Sequence, residues 1–583
     1  METPRVRMNQ PSLPEYINDL QLPTTDLTKL SFCATRPAKV EEWANEFRAT
    51  QTTETSILLY HSLPEAARLK CSYDTRLEIL EALRPAAQNA VQGLTRSFLQ
   101  QPINLPESAQ KTAIIAQAIQ KSMIDGYGRC VSDICAQKRF KPVVMEALAK
   151  ALHRAITGIG LIFFRNYQLY TQLPTGFWHQ LHVYFQIAEY FDLLATPVKD
   201  PLLLSRPATN IQTAYMRVLL MATARMNQLS RNDIAQIYHA LESWSQYARL
   251  HPSVLQDKDN FYLINLSRDQ GPIYKSRFNG SEMDRVLELD FRVLVNQLSK
   301  YAPSSDEDPD VPIGGSAAIS VPSGFPPPLL DHLMQSWSSV AQRKQERRTV
   351  QSQAEVSVGM VDTHYLLCGE QAFDEFAAED VFEEGFEHSV IDMLTTGIGS
   401  GDESATKRKA SIVYQVHIQN VSTGGCCLLW KGEIPKKLRA GEIMAIKESG
   451  RHSWSLGVVR WVRQYRGQSQ LGIQTLANHP RPYGIAQGFD MGGYSDYMRA
   501  FYLPASKNGR QPESLLTASA PFKELDKVKL FDGDSAVSAK LNKLVFATSA
   551  VQQFIFNTLD APQAQPKRVA GSRTQEQFDD EWD

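Results

Sequence analysis

Apolar residues along the first half of the chain recur at helical spacing. Leu77, Leu80, Ala87, Val91, Leu94 and Phe98 fall mostly on steps of three and four or their sums, which places them on one helix face. Asp74 stands where an N-cap belongs, and Pro85 inside the run predicts a kink or a break. A second helix is expected to begin at Ser230. Asp233 follows three residues on, as in a capping box, and Ile234, Ile237, Leu241, Trp244 and Ala248 form the apolar stripe. This helical regime covers about residues 38–302, behind an extended N-terminal segment, 1–37. No fixed repeat period runs through it, so a solenoid is not expected.

The stretch 303–330 is rich in Pro, Ser, Gly and Asp and reads as a linker, because it offers too little apolar surface to order itself. Beyond it the period switches from 3.6 to 2. Ala354, Val356, Val358 and Met360 alternate with polar neighbours, as do Tyr414, Val416 and Ile418; further strands are expected at 443–446, 454–462 and 471–475. Several short strands with turn signals between them predict a small antiparallel barrel over 331–480. A run of acidic character, 368–406, interrupts it with eleven Asp or Glu and no Lys or Arg. Such a run ordinarily forms a solvated face; a docking surface for a basic partner is the sharper reading. Alternation resumes over 481–560, with an Asp-Gly turn at Asp532-Gly533, as an extension of the barrel or a second β subdomain. Residues 561–583 read as a disordered tail. The fold class is therefore multidomain α+β: an all-α N-terminal domain, an antiparallel β-barrel, and a C-terminal β extension.

Composition narrows the function. With 583 residues the chain has length for several domains. Lys+Arg 61 against Asp+Glu 63 leaves a net charge of −2, which argues against a nucleic-acid-coating protein. The N-terminus lacks the apolar core of a signal peptide, and the most apolar stretch, Ile156 to Phe164, is half the length of a membrane span. A cytoplasmic protein without membrane insertion is expected. Seven scattered cysteines fit a reducing compartment and supply no metal-binding spacing. His179-x-x-His182 lacks the Glu of a metalloprotease motif and reads as packing, and no P-loop, GxSxG or GxGxxG stands in a catalytic context. No enzyme is expected.

One constellation carries chemistry. Arg343-x-x-x-Arg347, followed by Arg348, precedes the first barrel strand, and Asn420-x-Ser422-x-x-Gly425 stands at the end of a later one. The segment WSLGVVRWVRQ, a short polar turn and QLGIQTL follow as paired late strands. In this order, the motifs resemble the PilZ domain over about residues 340–480. The acidic insertion departs from that family's compact pattern. The chain also lacks GGDEF, EAL and HD-GYP signatures, so it is expected neither to make nor to degrade cyclic di-GMP, the ligand the resemblance implies.

The resemblance implies a bacterial receptor for the second messenger cyclic di-GMP, with no other cofactor. The chemistry of the residues suits that ligand. An Arg guanidinium is a planar fork of donors that matches phosphate oxygens and the O6/N7 edge of guanine, and it stacks on base faces. Asn420 and Ser422 offer short side chains to a guanine edge, and Gly425 permits positive φ or a close backbone approach. Trp461 and Tyr465 are read as barrel-core aromatics and left outside the site. The implied output is a contact between the helical domain and a protein partner of unknown identity, in control of motility, pili or exopolysaccharide. The rival expectation is a scaffold of the same fold that binds no nucleotide.

Overall fold

The computed structural model describes residues 13–47, 52–204, 208–253, 262–278, 285–301, 319–338, 347–378, 413–465, 467–489, 492–505 and 512–559. Of the expected regions, residues 1–12 of the N-terminal segment, 303–318 of the linker, Arg343, 379–406 of the acidic insertion and the tail lie outside them, and the N-terminal segment, expected to be extended, contains a helix at Leu13–Asn18.

Helices build the first half. Three long ones, Tyr73–Leu99, Glu107–Cys135 and Pro142–Gln168, pack with Thr52–Arg68, Ile211–Thr223 and Arg231–Trp244 around a single apolar core. The first expected helix is present, with two corrections. Ser72 holds the N-cap position, leaving Asp74 in the first turn, where the N-terminal dipole favours a carboxylate. The helix also continues through Pro85, because the buried faces on both sides, Leu83 and Ala87, lock it against its neighbours. The second helix matches its capping box: Asp233 N donates to Ser230 Oγ at 3.2 Å, and Ser230 N donates back to Asp233 Oδ2 at 3.2 Å. Pro142–Gln168 is long and apolar enough to cross a membrane, yet most of it is buried inside this helical core.

Two small sheets accompany the helices. β1 (Val198–Lys199) pairs with β2 (Ala208–Thr209). β3 (Arg249–Pro252), β4 (Tyr262–Asn265), β5 (Ile273–Tyr274) and β6 (Val286–Asp290) form a sheet in the order β3-β6-β4-β5. The helical periodicity did not announce these strands; at two to five residues each, they are too short to establish a period of two.

Two closed antiparallel barrels follow. The first contains β7 (Arg348–Val358), β8 (Tyr414–Ser422), β9 (Gly425–Trp430), β10 (Ile443–Glu448), β11 (Ser455–Tyr465) and β12 (Gln468–Asn478), in the order β10-β11-β12-β9-β8-β7, with β10 returning to β7. Ala354, Val356 and Val358 face its interior as expected, but Gly359 (φ +82°) ends β7, so Met360 opens the helix Met360–Leu367 instead of extending the strand. The second barrel contains β13 (Arg481–Gln487), β14 (Met498–Leu503), β15 (Ser514–Ala518), β16 (Lys527–Phe531), β17 (Ala536–Ala547) and β18 (Val551–Thr558), in the order β13-β14-β15-β18-β17-β16. Of the two forms anticipated for this region, it takes that of a separate β unit with its own core. Asp532 and Gly533 make the β16–β17 turn, where Asp532 Oδ1 accepts from the backbone N–H of Asp534 and Ser535.

The helical core and the interior of the first barrel form one continuous apolar cluster. A second cluster joins the barrels to each other, with Ile443, Leu456 and Val458 against Phe501, Leu503 and Leu516.

Candidate functional site

The hairpin β8–β9 carries the Asn-x-Ser-x-x-Gly motif. Ser422 pairs with Gly425, which leaves Thr423-Gly424 as a two-residue turn. Ser422 Oγ donates to the Gly425 carbonyl at 3.2 Å and closes it. The two glycines separate in role. Gly424 offers its carbonyl to the Thr475 N–H at 3.0 Å. Gly425 has φ +154°, and a Cβ built there falls 1.9 Å from the carbonyl oxygen of Ile473. Position 425 therefore admits no side chain while β9 stays paired with β12.

Asn420 sits between strands on the outer side of the barrel. It pairs with Thr349 of β7 on one side and Cys427 of β9 on the other. Its Oδ1 is enclosed and has no hydrogen-bond partner among the described residues. An enclosed acceptor without a donor costs about 1–3 kcal/mol. The β8–β9 register slips by one residue between Ile418 and Asn420, and the extra residue is Gln419. Its Oε1 lies 3.3 Å from Gln470 Nε2 and 3.6 Å from Cys427 Sγ.

The strap arrives at this hairpin. Arg348 opens β7 opposite Val421, so the last two arginines of the motif enter the barrel beside Asn420. Both are exposed, and neither has a carboxylate partner among the described residues. Burial pushes the Cys427 thiol up, while the positive charge of Arg347 pulls it back. The structure thus brings Arg347, Arg348, Asn420, Ser422 and Gly425 to one end of the β7–β8–β9 sheet. Arg343 lies outside the described residues.

Comparisons with known proteins find matches along most of the chain. A family model described as the middle PilZ domain of the cyclic-di-GMP receptor FimW matches residues 261–393 and 387–482. Residues 261–482, which carry both motifs, thus match a PilZ domain. The models of the FimW N-terminal domain and the FimW C-terminal β-barrel domain match residues 38–253 and 483–559. The cyclic-di-GMP receptor FimW of Pseudomonas aeruginosa is 28% identical over 604 aligned positions, covering 97% of this chain and 98% of that protein. No solved structure matches.

Sequence reasoning missed part of the PilZ surface. Trp461 does not enter the core. It pairs with Gly472, which in turn pairs with Cys427, so Trp461, Gly472, Cys427, Asn420 and Thr349 form one cross-strand row. A Cβ on Gly472 would fall 1.9 Å from Trp461 Nε1; the missing side chain makes room for the indole on the outer face. Tyr465 is likewise 36% exposed. Gln419 and Gln470 complete this surface, and only the bulge reveals them. His182, by contrast, packs as expected, 2.8 Å from Tyr215 Oη and 2.9 Å from the Gln270 carbonyl.

Proposed function

We propose that this protein is a bacterial, cytoplasmic receptor that binds cyclic di-GMP through Arg343, Arg347, Arg348, Asn420, Ser422 and Gly425. One observation carries the reading: the β7–β8 register sets Arg347 and Arg348, which have no carboxylate partner among the described residues, beside the enclosed Asn420 Oδ1, which has no donor among them. The arginine forks supply charge and donors to the ligand's phosphates and to guanine O6/N7. The guanine amino group is a donor of the kind that Asn420 Oδ1 lacks. Ser422 and Gly425 hold the hairpin that presents Asn420. The similarity to the P. aeruginosa cyclic-di-GMP receptor supports the same reading.

The position of the strap suggests how binding is transmitted. Helix Pro327–Ser338, just before the strap, is anchored to the helical domain: Trp337 Nε1 donates to Thr223 Oγ1 at 3.1 Å and His332 Nε2 to the Ala224 carbonyl at 2.9 Å. β7, just after it, belongs to the barrel. Ligand contacts that order the strap would bias the arrangement of these two parts and so alter what the helical domain offers to a protein partner. Control of motility, pili or exopolysaccharide is the corresponding output, without catalysis.

Calorimetric titration of cyclic di-GMP into the full-length protein tests the receptor reading. Micromolar or tighter binding is expected from the wild type, and its loss in an Arg343→Ala/Arg347→Ala variant. A wild type that takes up no ligand would make this chain a scaffold of the PilZ fold.

A further inference from the structure

The acidic insertion begins on the second barrel. Helix Phe373–Phe376, within the insertion's first residues, seats Phe376 against Phe531 of β16, with ring centroids 5.9 Å apart. Phe376 also lies over the β16–β17 turn, 3.1 Å from where a Cβ of Gly533 would stand. Arg499 caps the neighbouring Phe373 ring at 4.4 Å. Phe531 faces outward, since Leu530 and Val528 fill the core. With a period of two, Lys529 and Lys527 continue the same outer face away from Phe531.

That face is positive at its far end. Lys527 pairs directly with Lys540 of β17, and like charges opposite each other destabilise a sheet. Neither lysine forms an ion pair with any described residue. The nearby carboxylates are engaged by other donors. Glu524 accepts from the Leu544 N–H at 2.6 Å, Asp526 from Lys523 N–H and Gln487 Nε2, and Asp532 from the turn.

We propose that the outer face of β16–β17 is a docking surface for the chain's own segment 379–387, which contains Glu379, Asp380, Glu383, Glu384 and Glu387 and no basic residue other than His388 just beyond it. Three observations select this occupant. The Phe376 contact places the start of the segment at the Phe531 end of the face. Nine extended residues span about 30 Å, whereas Phe531 to Lys527 covers about 13 Å of strand. The charges are complementary, and the opposed Lys527–Lys540 pair gains the counter-charge it lacks. The surface ties the insertion between the two motif strands, β7 and β8, to the second barrel, whether or not the first barrel holds ligand.

Zero-length carbodiimide cross-linking of the full-length protein, mapped by mass spectrometry, tests the assignment. Bonds from Lys527 or Lys540 to carboxylates of 379–387 within one chain are expected. Deuterium uptake in 379–387 should rise several-fold in Lys527→Glu/Lys540→Glu and return towards the wild-type level when Glu383→Lys/Glu384→Lys is added. Uptake equal in wild type and lysine variant would overturn the proposal. So would cross-links made to Lys344 instead, or links found only between copies carrying different isotope labels.

Discussion

Gly425 shows how one position constrains the candidate site. Its φ of +154° is open to glycine, and the space a Cβ needs is filled by a backbone carbonyl that cannot swing aside. Gly425→Ala should cost about 2–4 kcal/mol of local stability, the sum of overpacking and backbone strain. Hydrogen exchange should show the loss in β8, β9 and β12, with the second barrel unchanged. Charge inside the helical core makes a second residue-scale prediction. Burial lowers the pKa of His153 to about 3 and that of His182 to about 4, so both stay neutral in the fold. Unfolded histidine binds its proton near pH 6.5. The unfolded state therefore holds more protons below that value. Stability contributed by the neutral rings is complete above about pH 6.5 and falls as pH drops towards 4, by up to about 1.4 kcal/mol per unit for each ring. Urea midpoints measured between about pH 7 and pH 5 should decline, and His153→Gln should flatten the decline.

At the scale of the element, local signals were legible where neighbours agreed with them. The Ser230–Asp233 capping box formed as its residues dictate, and Ser230→Ala should cost about 1 kcal/mol, read as faster exchange in the first turn of Arg231–Trp244. The Asp532-Gly533 turn formed for the same reason. Pro85 marks the limit of local reading: its missing donor and its clash are worth about 3 kcal/mol against a helix, yet with packing on both sides the helix does not break there. The candidate site was legible in part. Arg347, Arg348 and Asn420 were named from their order along the chain, but their meeting depends on the β7–β8 register. Trp461 was misplaced because period-two alternation shows that a residue alternates, not which side is inside, and the bulges near Gln419 and Trp461 reset the count.

For the whole molecule, the consequential contact is that between the helical domain and the first barrel. Gln464 binds the Tyr170 carbonyl through its backbone N–H at 2.8 Å and the Ile103 carbonyl through its side chain at 3.2 Å, and Asn104 reaches the Gly432 carbonyl at 3.3 Å. These few polar bonds beside the shared apolar core are where a rearrangement driven by the strap would act. Small-angle scattering with saturating cyclic di-GMP should show a changed pair-distance distribution, and Arg343→Ala/Arg347→Ala should abolish the change. An unaltered profile with ligand bound would remove the switch and leave the receptor.

What the sequence determined by itself is what neighbouring residues decide: helical and strand periods, a capping box, turns, and the two motifs whose order resembles PilZ. Those features arise from backbone geometry and from side chains a few positions apart. Only the tertiary structure decided the rest. Closure of two separate barrels, the strap's entry beside Asn420, the outward indole of Trp461 and the basic face beyond Phe531 all depend on pairing between strands far apart in the chain. Register sets which side chains meet, and many registers satisfy the same alternation until the core, the bulges and the glycines select one.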